Sequence, residues 1–270
     1  MKQQIKNFIK GALRRLGIGI SRYDTLQRLL AIEKANVKAI DDLELLRSLD
    51  EEIAGRAIPL LDKSKSQLRQ DIFVLGELGF KRKGFFVEFG ATNGKELSNT
   101  HLLEKEFGWR GILAEPARIW HRDLKKNRSA SIDFECVWKE TGKTLNFNEV
   151  DIAEFSTITD FSSRDKHSEA RRKGTTYSDN SISLVDLLSR HEAPHRIDYL
   201  SIDTEGSEYE ILEKFDFDTY KISVITCEHN FTENRKRIFD LLTLNGYERK
   251  FENLSKFDDW YVLQWRPEGR

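Results

Sequence analysis

Short apolar runs alternate with amphipathic segments from about residue 66 to the end of the chain. The apolar runs predict strands at Gly84–Gly90, Gly111–Pro116, Ser131–Trp138, Ile197–Asp203, Ile222–Glu228, Tyr247–Phe251 and Trp260–Trp265. The amphipathic segments predict helices at Gln67–Leu78, Asn99–Phe107, Ile119–Asn127, Leu184–Ser189, Tyr209–Phe215 and Arg235–Asn245. Nearly continuous apolar strands separated by helices indicate a parallel sheet that helices cover on both faces.

The last two predicted strands differ from the others in the length of their connection. Only Glu252–Asp259 separates them, and this segment is too short for a crossover helix. We therefore expect the two strands to pair as an antiparallel hairpin at one edge of the sheet. The predicted architecture is an α/β fold with a doubly wound, mostly parallel seven-stranded sheet and a C-terminal antiparallel hairpin.

Residues 1–65 precede this pattern and form a predicted N-terminal helical extension to the domain at 66–270. In the first 20 residues, apolar side chains recur at helical spacing and basic side chains fill the other face: Ile5, Phe8, Ile9, Ala12, Leu13 and Leu16 against Lys2, Lys6, Lys10, Arg14 and Arg15. A basic amphipathic helix can lie on an anionic membrane surface. The same apolar stripe can also pack on the protein's own body, and the sequence leaves both interpretations open.

A polar segment at about 141–183 interrupts the alternation of strands and helices. It contains SSRDKHSEARRKGTTYSDNS and shows little periodicity. Such long connections are usually functional or disordered. Because the segment follows the third predicted strand, we expect either a lid over the carboxyl edge of the sheet or a mobile loop.

The composition narrows the class of protein. The chain has 270 residues and a net charge of −1, which gives no electrostatic reason to expect a nucleic-acid partner. Cys136 and Cys227 each lie in an apolar run and are predicted to be buried free thiols, not a disulfide scaffold. No apolar run is long enough to cross a bilayer, and the basic first residues lack the continuous apolar core that a secretory signal has. We expect a cytoplasmic protein, with the inner face of the membrane as the surface that residues 1–20 would meet.

A turn containing two glycines follows the first predicted strand. In EFGATNG (Glu88–Gly94), Gly90 and Gly94 allow a tight turn and a close approach of the backbone to a ligand. The spacing differs from G-x-G-x-x-G, which cradles a pyrophosphate. Glu115 ends the second strand, where it can accept both hydroxyls of a ribose. Ligands of open α/β sheets bind at the carboxyl ends of the strands. The turn and Glu115 therefore predict a site for a nucleoside without phosphate, such as S-adenosylmethionine.

Further polar residues end the later strands. Asp203 and Glu205 follow IDYLSI, and Glu208 has the position of a helix-start residue. The tripeptide Glu228-His229-Asn230 ends the next strand. We expect Asp203 and Glu205 to face the same edge as the glycine turn, with His229 close to a bound substrate.

Four stretches of the chain resemble the FkbM-type methyltransferases: QLRQDIFVLGELGFKRKGFFVEFGATNG, LSNTHLLEKEFGWRGILAEPAR, IDYLSIDTEGSEYEIL and Glu228-His229-Asn230. The resemblance runs from about Ser66 to the C-terminus, apart from the polar segment. It implies a class I methyltransferase (Rossmann-like) fold, S-adenosylmethionine as cofactor, and usually O-methylation of a sugar, glycan or related metabolite. It implies cofactor contacts from Gln70, Asp71, Glu88, Gly90, Ala91, Gly94, Asn99, Thr100, Glu115 and Pro116, and an active site at Asp203 and Glu205.

Two mechanisms fit these residues. In the first, His229 takes the proton of the acceptor hydroxyl, and Asp203 or Glu205 orients the hydroxyl or the imidazole. In the second, Asp203, Glu228 and Asn230 hold a divalent cation that lowers the pKa of the hydroxyl. The sequence does not decide between them, and metal dependence stays open.

Two different classes of protein compete with this interpretation. One is a methyltransferase fold without catalysis that serves as a glycan- or membrane-binding module, which the intact glycine turn and the acidic residues disfavour. The other is a nicotinamide-dependent oxidoreductase, but Ala91-Thr92-Asn93 lacks the additional glycine of its pyrophosphate site. The expected partner is therefore a small-molecule or glycan acceptor, not a nucleic acid.

Overall fold

The computed structural model describes residues 23–150, 156–159 and 174–264. The α-helices in these ranges are α1 (Tyr23–Ser48), α2 (Glu51–Ala57), α3 (Gln70–Glu77), α4 (His101–Phe107), α5 (His121–Asn127), α6 (Leu184–Arg190), α7 (Glu208–Glu213), α8 (Asn234–Leu244) and α9 (Glu252–Ser255). The strands are β1 (Phe85–Phe89), β2 (Arg110–Ala114), β3 (Ser131–Asp133), β4 (Cys136–Trp138), β5 (Thr144–Glu149), β6 (Thr157–Ile158), β7 (Thr175–Ser183), β8 (Arg196–Ile202), β9 (Lys221–Glu228), β10 (Tyr247–Lys250) and β11 (Asp258–Leu263).

Seven strands form the main sheet in the order β10-β11-β9-β8-β1-β2-β3. All pairings from β9 to β3 are parallel, whereas β11 runs antiparallel to both β9 and β10. The sheet therefore confirms the predicted doubly wound fold of class I methyltransferases, including the C-terminal hairpin. The connection between β10 and β11 contains only the short helix α9, which agrees with the absence of a crossover.

Strand β1 lies in the interior of the sheet, between β8 and β2, and its sequence is apolar except for Glu88. All five of its residues are buried, and Val87 pairs with Ile112 of β2 and Leu200 of β8. The strand order reverses between β1 and β8, so the connections leave in opposite directions and open a crevice at the carboxyl edge. Strand β11 begins at this same edge, since Asp258 pairs with Glu228 at the end of β9.

One prediction for the middle of the chain was wrong. The expected single strand Ser131–Trp138 is two strands in different sheets: β3 belongs to the main sheet, and β4 pairs with β7. The chain leaves the main sheet after Asp133, whose Oδ1 accepts the N–H of Glu135 at 3.0 Å.

The polar segment at 141–183 also contains regular structure that its sequence did not indicate. Strands β5, β6 and β7 join β4 in a second sheet with the order β4-β7-β5-β6. Most side chains of β7 are at least partly exposed, so the strand lacks the apolar alternation by which strands are normally recognised. The backbone pairing of β5 with β7 forms this sheet from polar residues.

The chain divides into two compact units, residues 1–45 and 46–270. In the first unit the described residues belong to α1, and its large apolar side chains from Leu26 to Leu43 are about half exposed. The predicted amphipathic helix at residues 1–20 lies outside the described residues, and the predicted boundary near residue 65 stays a prediction. No helix in the described part of the chain has the length and apolar character to cross a membrane. Cys136 and Cys227 are buried and free, as predicted.

Candidate active site

A cavity of about 430 Å³ opens at the carboxyl edge of the main sheet. Its lining comes from α3, from the ends of β1, β2, β8 and β9, from the start of β11, and from the second sheet. It brings together the predicted site residues Gln70, Glu88, Gly90, Asn99, Glu115, Pro116, Asp203 and Glu205. The lining does not include Asp71, Ala91, Gly94, Thr100 or His229.

Glu115 projects into this cavity from a fixed position after β2. It is 4% exposed; its Oε2 accepts the N–H of Thr92 at 2.7 Å, and its Oε1 accepts the N–H of Ala117 at 2.8 Å. Burial raises the pKa of Glu115 to about 7, against the opposing effect of these two amide donors. Each carboxylate oxygen keeps a further lone pair for a ligand hydroxyl, because a carboxylate can accept about four hydrogen bonds.

Glu88 is held by a buried network around Arg128. Its Oε1 accepts the N–H of Asn99 at 2.7 Å, and its Oε2 accepts hydrogen bonds from the hydroxyls of Ser98 and Thr100. The guanidinium of Arg128 has no exposed surface, lies 3.5 Å from Glu88 Oε2, and donates to the carbonyl of Gly94 at 3.1 Å. This network fixes Glu88, Gly94 and Thr100 in place and so holds the glycine turn at residues 88–94.

Arg128 follows α5, and its structural importance was not apparent in the sequence. In addition to the glycine turn, it donates from Nε to Glu104 Oε2 at 2.8 Å. Its position next to these groups depends on how α5 packs against α4. A basic residue at a helix end is common, so the sequence held no signal of this role.

Gly90 allows β1 and β8 to approach each other closely at the crevice. Its φ of +69° is in the left-handed region, and a Cβ at this position would lie 2.1 Å from the carbonyl oxygen of Asp203. Any side chain at residue 90 would therefore push the end of β8 away from the glycine turn.

Three carboxylates meet at the ends of β8 and β9. One oxygen from each of Asp203, Glu205 and Glu228 lies within 4.8 Å of the others, and Asn230 donates from Nδ2 to Glu205 Oε2 at 3.3 Å. Glu205 and Asn230 have φ values of +59° and +43°, which cost free energy in residues other than glycine. Glu228 Oε2 and Asn230 Oδ1 are buried and have no hydrogen-bond partner among the described residues.

Asp203 and Glu228 lie so close together that the protonation of one carboxyl group changes the pKa of the other. Burial first, and then the negative charge of Asp203, raises the pKa of Glu228 well above its ordinary value. Burial also raises the pKa of Asp203, partly offset by the hydrogen bond that Glu228 donates to it. The two carboxyl groups therefore titrate as a pair, and the pKa of Glu228 is raised well above its ordinary value by the charge of Asp203 in addition to burial.

His229 lies behind the cavity wall. It is 4% exposed, its Nδ1 accepts the N–H of Phe231 at 3.0 Å, and its Nε2 lies 3.7 Å from Asp259 Oδ1. Burial lowers the pKa of His229 to about 4, so the ring is neutral near pH 7. Its contacts are those of a buried residue that shapes the turn after β9.

Asp258 and Gln67 line the cavity but were not among the predicted site residues. Asp258 begins β11, and Gln70 of α3 donates from Nε2 to Asp258 Oδ2 at 2.8 Å. A usable signal did exist in the sequence. In an antiparallel last strand, the first residue lies at the edge where the parallel strands end, so the acid that opens the strand belongs to the site.

The second sheet covers this edge and supplies apolar lining from Phe147 and Ile158. Thr157 fastens it to the loop after β8, since its hydroxyl lies 3.2 Å from the carbonyl oxygen of Thr204 and 3.0 Å from that of Glu205. Tyr177 fastens it to the end of β2 through a hydrogen bond to the carbonyl of Pro116 at 3.1 Å. The polar segment thus contributes a wall to the site.

Four buried carboxyl groups connect the stability of the ligand-free protein with pH. Burial raises the pKa of Asp71, Glu115 and Glu208 to about 7, and that of Asp258 to about 8. In the unfolded chain such groups ionise near pH 4. Between about pH 4 and the folded-state values of about 7 to 8, the folded protein therefore binds more protons than the unfolded chain. Stability falls with rising pH across this range and levels off above it.

We expect the free energy of unfolding to fall between about pH 6.5 and 8, by up to about 1.4 kcal/mol per pH unit for each excess proton. Burial lowers the pKa of His101 and His229 to about 4, which opposes this trend only below the ordinary histidine pKa of 6.5. Urea titrations across this range measure the slope. The D258N variant should show a shallower fall above pH 7, and an unchanged slope would contradict the assignment.

Comparisons with known proteins agree with this geometry. The sequence model of the family described as "Methyltransferase FkbM domain" matches residues 88–261, more than half of the chain. A comparison with curated sequences gave no significant match.

Several solved structures are similar at low sequence identity. Precorrin-6y C5,15-methyltransferase from Geobacter metallireducens GS-15 is 10% identical, with a TM-score of 0.40 over 73% of this chain and 87% of that one. The METTL16 MTase domain is 11% identical, with a TM-score of 0.41 over 76% and 72%. A putative sarcosine dimethylglycine methyltransferase from Galdieria sulphuraria is 10% identical, with a TM-score of 0.32 over 68% and 63%. The family match covers the glycine turn, the Asp203–Glu205 loop and the start of β11, and the chain belongs to the FkbM-domain methyltransferases.

Proposed function

We propose that this protein is an S-adenosylmethionine-dependent methyltransferase that methylates a hydroxyl group of a sugar, a glycan or a related metabolite. The observation that carries the proposal is the shared cavity, in which Glu115 after β2 and the carboxylate cluster after β8 and β9 line one space. The first suits a nucleoside cofactor, and the second suits a proton acceptor for a hydroxyl.

The residues of the cavity fit this cofactor. Glu115 would hold the ribose hydroxyls, while Gln70 and Asn99 would face the amino-acid end. Pro116 and Val137 add apolar surface to the cavity that Glu115 lines. The carboxylates of the lining also suit a ligand that carries a sulfonium and an ammonium group, because opposite charges attract strongly where water is excluded.

The proposed mechanism uses Asp203 as the general base. When bound, S-adenosylmethionine supplies a methyl group on a positively charged sulfur; its transfer breaks the carbon–sulfur bond and leaves the electron pair on sulfur. Asp203 takes the proton of the acceptor hydroxyl, and Glu228 steadies Asp203 by a hydrogen bond. Glu205 orients the hydroxyl, and Asn230 fixes Glu205. His229 has no role here because it does not line the cavity.

A divalent cation is the second candidate for hydroxyl activation. Asp203, Glu205 and Glu228 could each offer one oxygen, and the Asn230 Oδ1 that has no partner lies beside them. Oxygen ligands suit Mg²⁺ or Ca²⁺, and either ion would lower the pKa of a bound hydroxyl.

We also propose that the protein is cytoplasmic and that residues 1–20 contact the inner face of the membrane.

Titration calorimetry with S-adenosylmethionine tests the cofactor site. We expect E115Q to lower the affinity about 10- to 100-fold, because a charged acceptor of two hydroxyls is replaced by a neutral one. E140Q is the matched control, since Glu140 is exposed and does not line the cavity. If the wild-type protein shows no binding heat, the proposed function fails, and the chain is better regarded as a binding module.

Transfer of a labelled methyl group tests the acceptor class. We expect glycans or sugars to accept the label at oxygen, and nuclear magnetic resonance of the product distinguishes an O-methyl ether from an N-methyl group. A product methylated only at nitrogen would contradict the O-methyl assignment while leaving the cofactor site intact.

A further inference from the structure

One carboxyl oxygen of Asp258 is buried at the cavity wall without a partner. Asp258 is 4% exposed, and its Oδ2 accepts hydrogen bonds from Gln70 Nε2 at 2.8 Å and Trp260 Nε1 at 3.3 Å. Its Oδ1 has no hydrogen-bond partner in the described part of the chain. A buried acceptor without a donor costs free energy, which a ligand that supplies the donor regains.

Gln70 fixes the direction of this carboxyl group. Its Oε1 accepts the hydroxyl of Ser66 at 2.5 Å and the N–H of Leu68 at 2.9 Å, so its amide nitrogen must point away from them, towards Asp258. Trp260 Nε1 donates to the same oxygen, Oδ2, so both hydrogen bonds hold the carboxyl group of Asp258 from one side. The other oxygen is left for the contents of the cavity.

The charge around Asp258 selects the kind of donor. Glu88, Glu115, Asp203, Glu205 and Glu228 line the same cavity, and its described lining contains no lysine, arginine or histidine. The nearby guanidinium of Arg235 is paired with Asp259, at 2.9 Å. A positively charged N–H donor is therefore favoured over a neutral hydroxyl at this position.

We propose that Asp258 is the binding residue for an ammonium group of a small molecule held in the cavity. The proposal rests on the proposed function and refines it. The ammonium has two possible sources, the amino-acid end of the cofactor or an amine on the acceptor, such as that of an amino sugar.

A metal ion suits Asp258 less well than an ammonium. The three-carboxylate group of Asp203, Glu205 and Glu228 does not include it. Asp258 thus offers one oxygen apart from that group, whereas Ca²⁺ and Mg²⁺ need several oxygen ligands together. One buried oxygen on a fixed carboxyl matches a single N–H donor.

The protonation of Asp258 provides a signal that a merely structural role would not give. Burial raises the pKa of Asp258 to about 8, so the ligand-free carboxyl is largely protonated at neutral pH. Pairing with an ammonium lowers that pKa, and the binding event then releases a proton. Calorimetry in two buffers of different ionisation enthalpy measures this release.

The experiment compares the wild-type protein with D258N, which keeps an acceptor for Gln70 and Trp260 but presents a donor to the cavity. S-adenosylhomocysteine is titrated first. The methyl glycosides of glucosamine and of glucose are then titrated into protein with and without it. If the ammonium belongs to the cofactor, D258N lowers the affinity for S-adenosylhomocysteine about 10- to 100-fold. If it belongs to the acceptor, the wild-type protein prefers the glucosamine glycoside about tenfold or more, and D258N abolishes this preference.

Glu140 supplies the control. It is exposed and does not line the cavity. E140Q should change neither the ligand affinities nor the proton release. Unchanged affinity for S-adenosylhomocysteine in D258N, together with equal binding of the two glycosides by the wild-type protein, would overturn the proposal. Absence of all S-adenosylhomocysteine binding would instead count against the proposed function, and the glycoside titrations would still decide the role of Asp258.

Discussion

Replacing Asp203 with asparagine should lower the rate of methyl transfer about 100- to 10 000-fold while leaving the affinity for S-adenosylmethionine within a few-fold. The variant keeps the size of the side chain and removes the carboxylate that takes the hydroxyl proton. It also removes the charge that raises the pKa of Glu228. Single-turnover rates with saturating cofactor measure the effect, and calorimetry checks binding.

A chelator separates the two mechanisms of hydroxyl activation, whereas D203N does not, because Asp203 takes part in both. H229A is the comparison variant, because His229 lies outside the cavity lining. Turnover of the wild-type protein that is undiminished in a chelator would exclude the cation mechanism. Full activity in D203N, or loss of transfer in H229A with the fold and cofactor binding intact, would instead remove Asp203 from the role of base.

Replacing Gly90 with alanine should destabilise the protein by about 2–5 kcal/mol and abolish cofactor binding. The new Cβ would lie 2.1 Å from the carbonyl oxygen of Asp203, and the φ of +69° adds strain for any residue with a side chain. Relief requires the ends of β1 and β8 to separate, which opens the crevice where the cofactor would lie. Urea unfolding measures the loss of stability.

Gly108 provides a control for the backbone strain alone. Its φ is +67°, but a Cβ there would have no atom within 4 Å. G108A should therefore cost only the conformational strain, about 1–2 kcal/mol, and leave cofactor affinity unchanged. Equal destabilisation by G90A and G108A would mean that the approach of β8 to Gly90 is not a close steric constraint.

Local sequence patterns were sufficient to predict most of the main sheet. The run FFVEF of β1 is apolar except for Glu88, and an interior strand covered on both faces buries such a segment completely. The short connection after β10 predicted the hairpin because it excluded a crossover helix. Glu115 and Asp203 end their strands, and parallel strands bring their carboxyl ends to one edge irrespective of detailed packing. The cofactor end of the candidate site could therefore be predicted from the sequence.

The second sheet could not be predicted from local sequence patterns. Strand β7 is held by backbone pairing with β5 and β4, and most of its side chains are at least partly exposed. Backbone hydrogen bonds between polar strands leave no hydrophobic period in the sequence. The break between β3 and β4 could not be predicted either, because apolar residues continue on both sides of it.

The sequence by itself determined which carboxylates reach the edge of the sheet. The tertiary structure decided which of them share a cavity and which are already hydrogen-bonded to other residues of the protein. Glu88 lies near the end of β1 as predicted, yet Ser98, Asn99, Thr100 and Arg128 surround its oxygens. His229 follows β9 by one residue and turns behind the wall, while Asp258, distant in sequence, faces the cavity. Position along a strand is a local property, but the partners of a side chain depend on elements that only folding brings together.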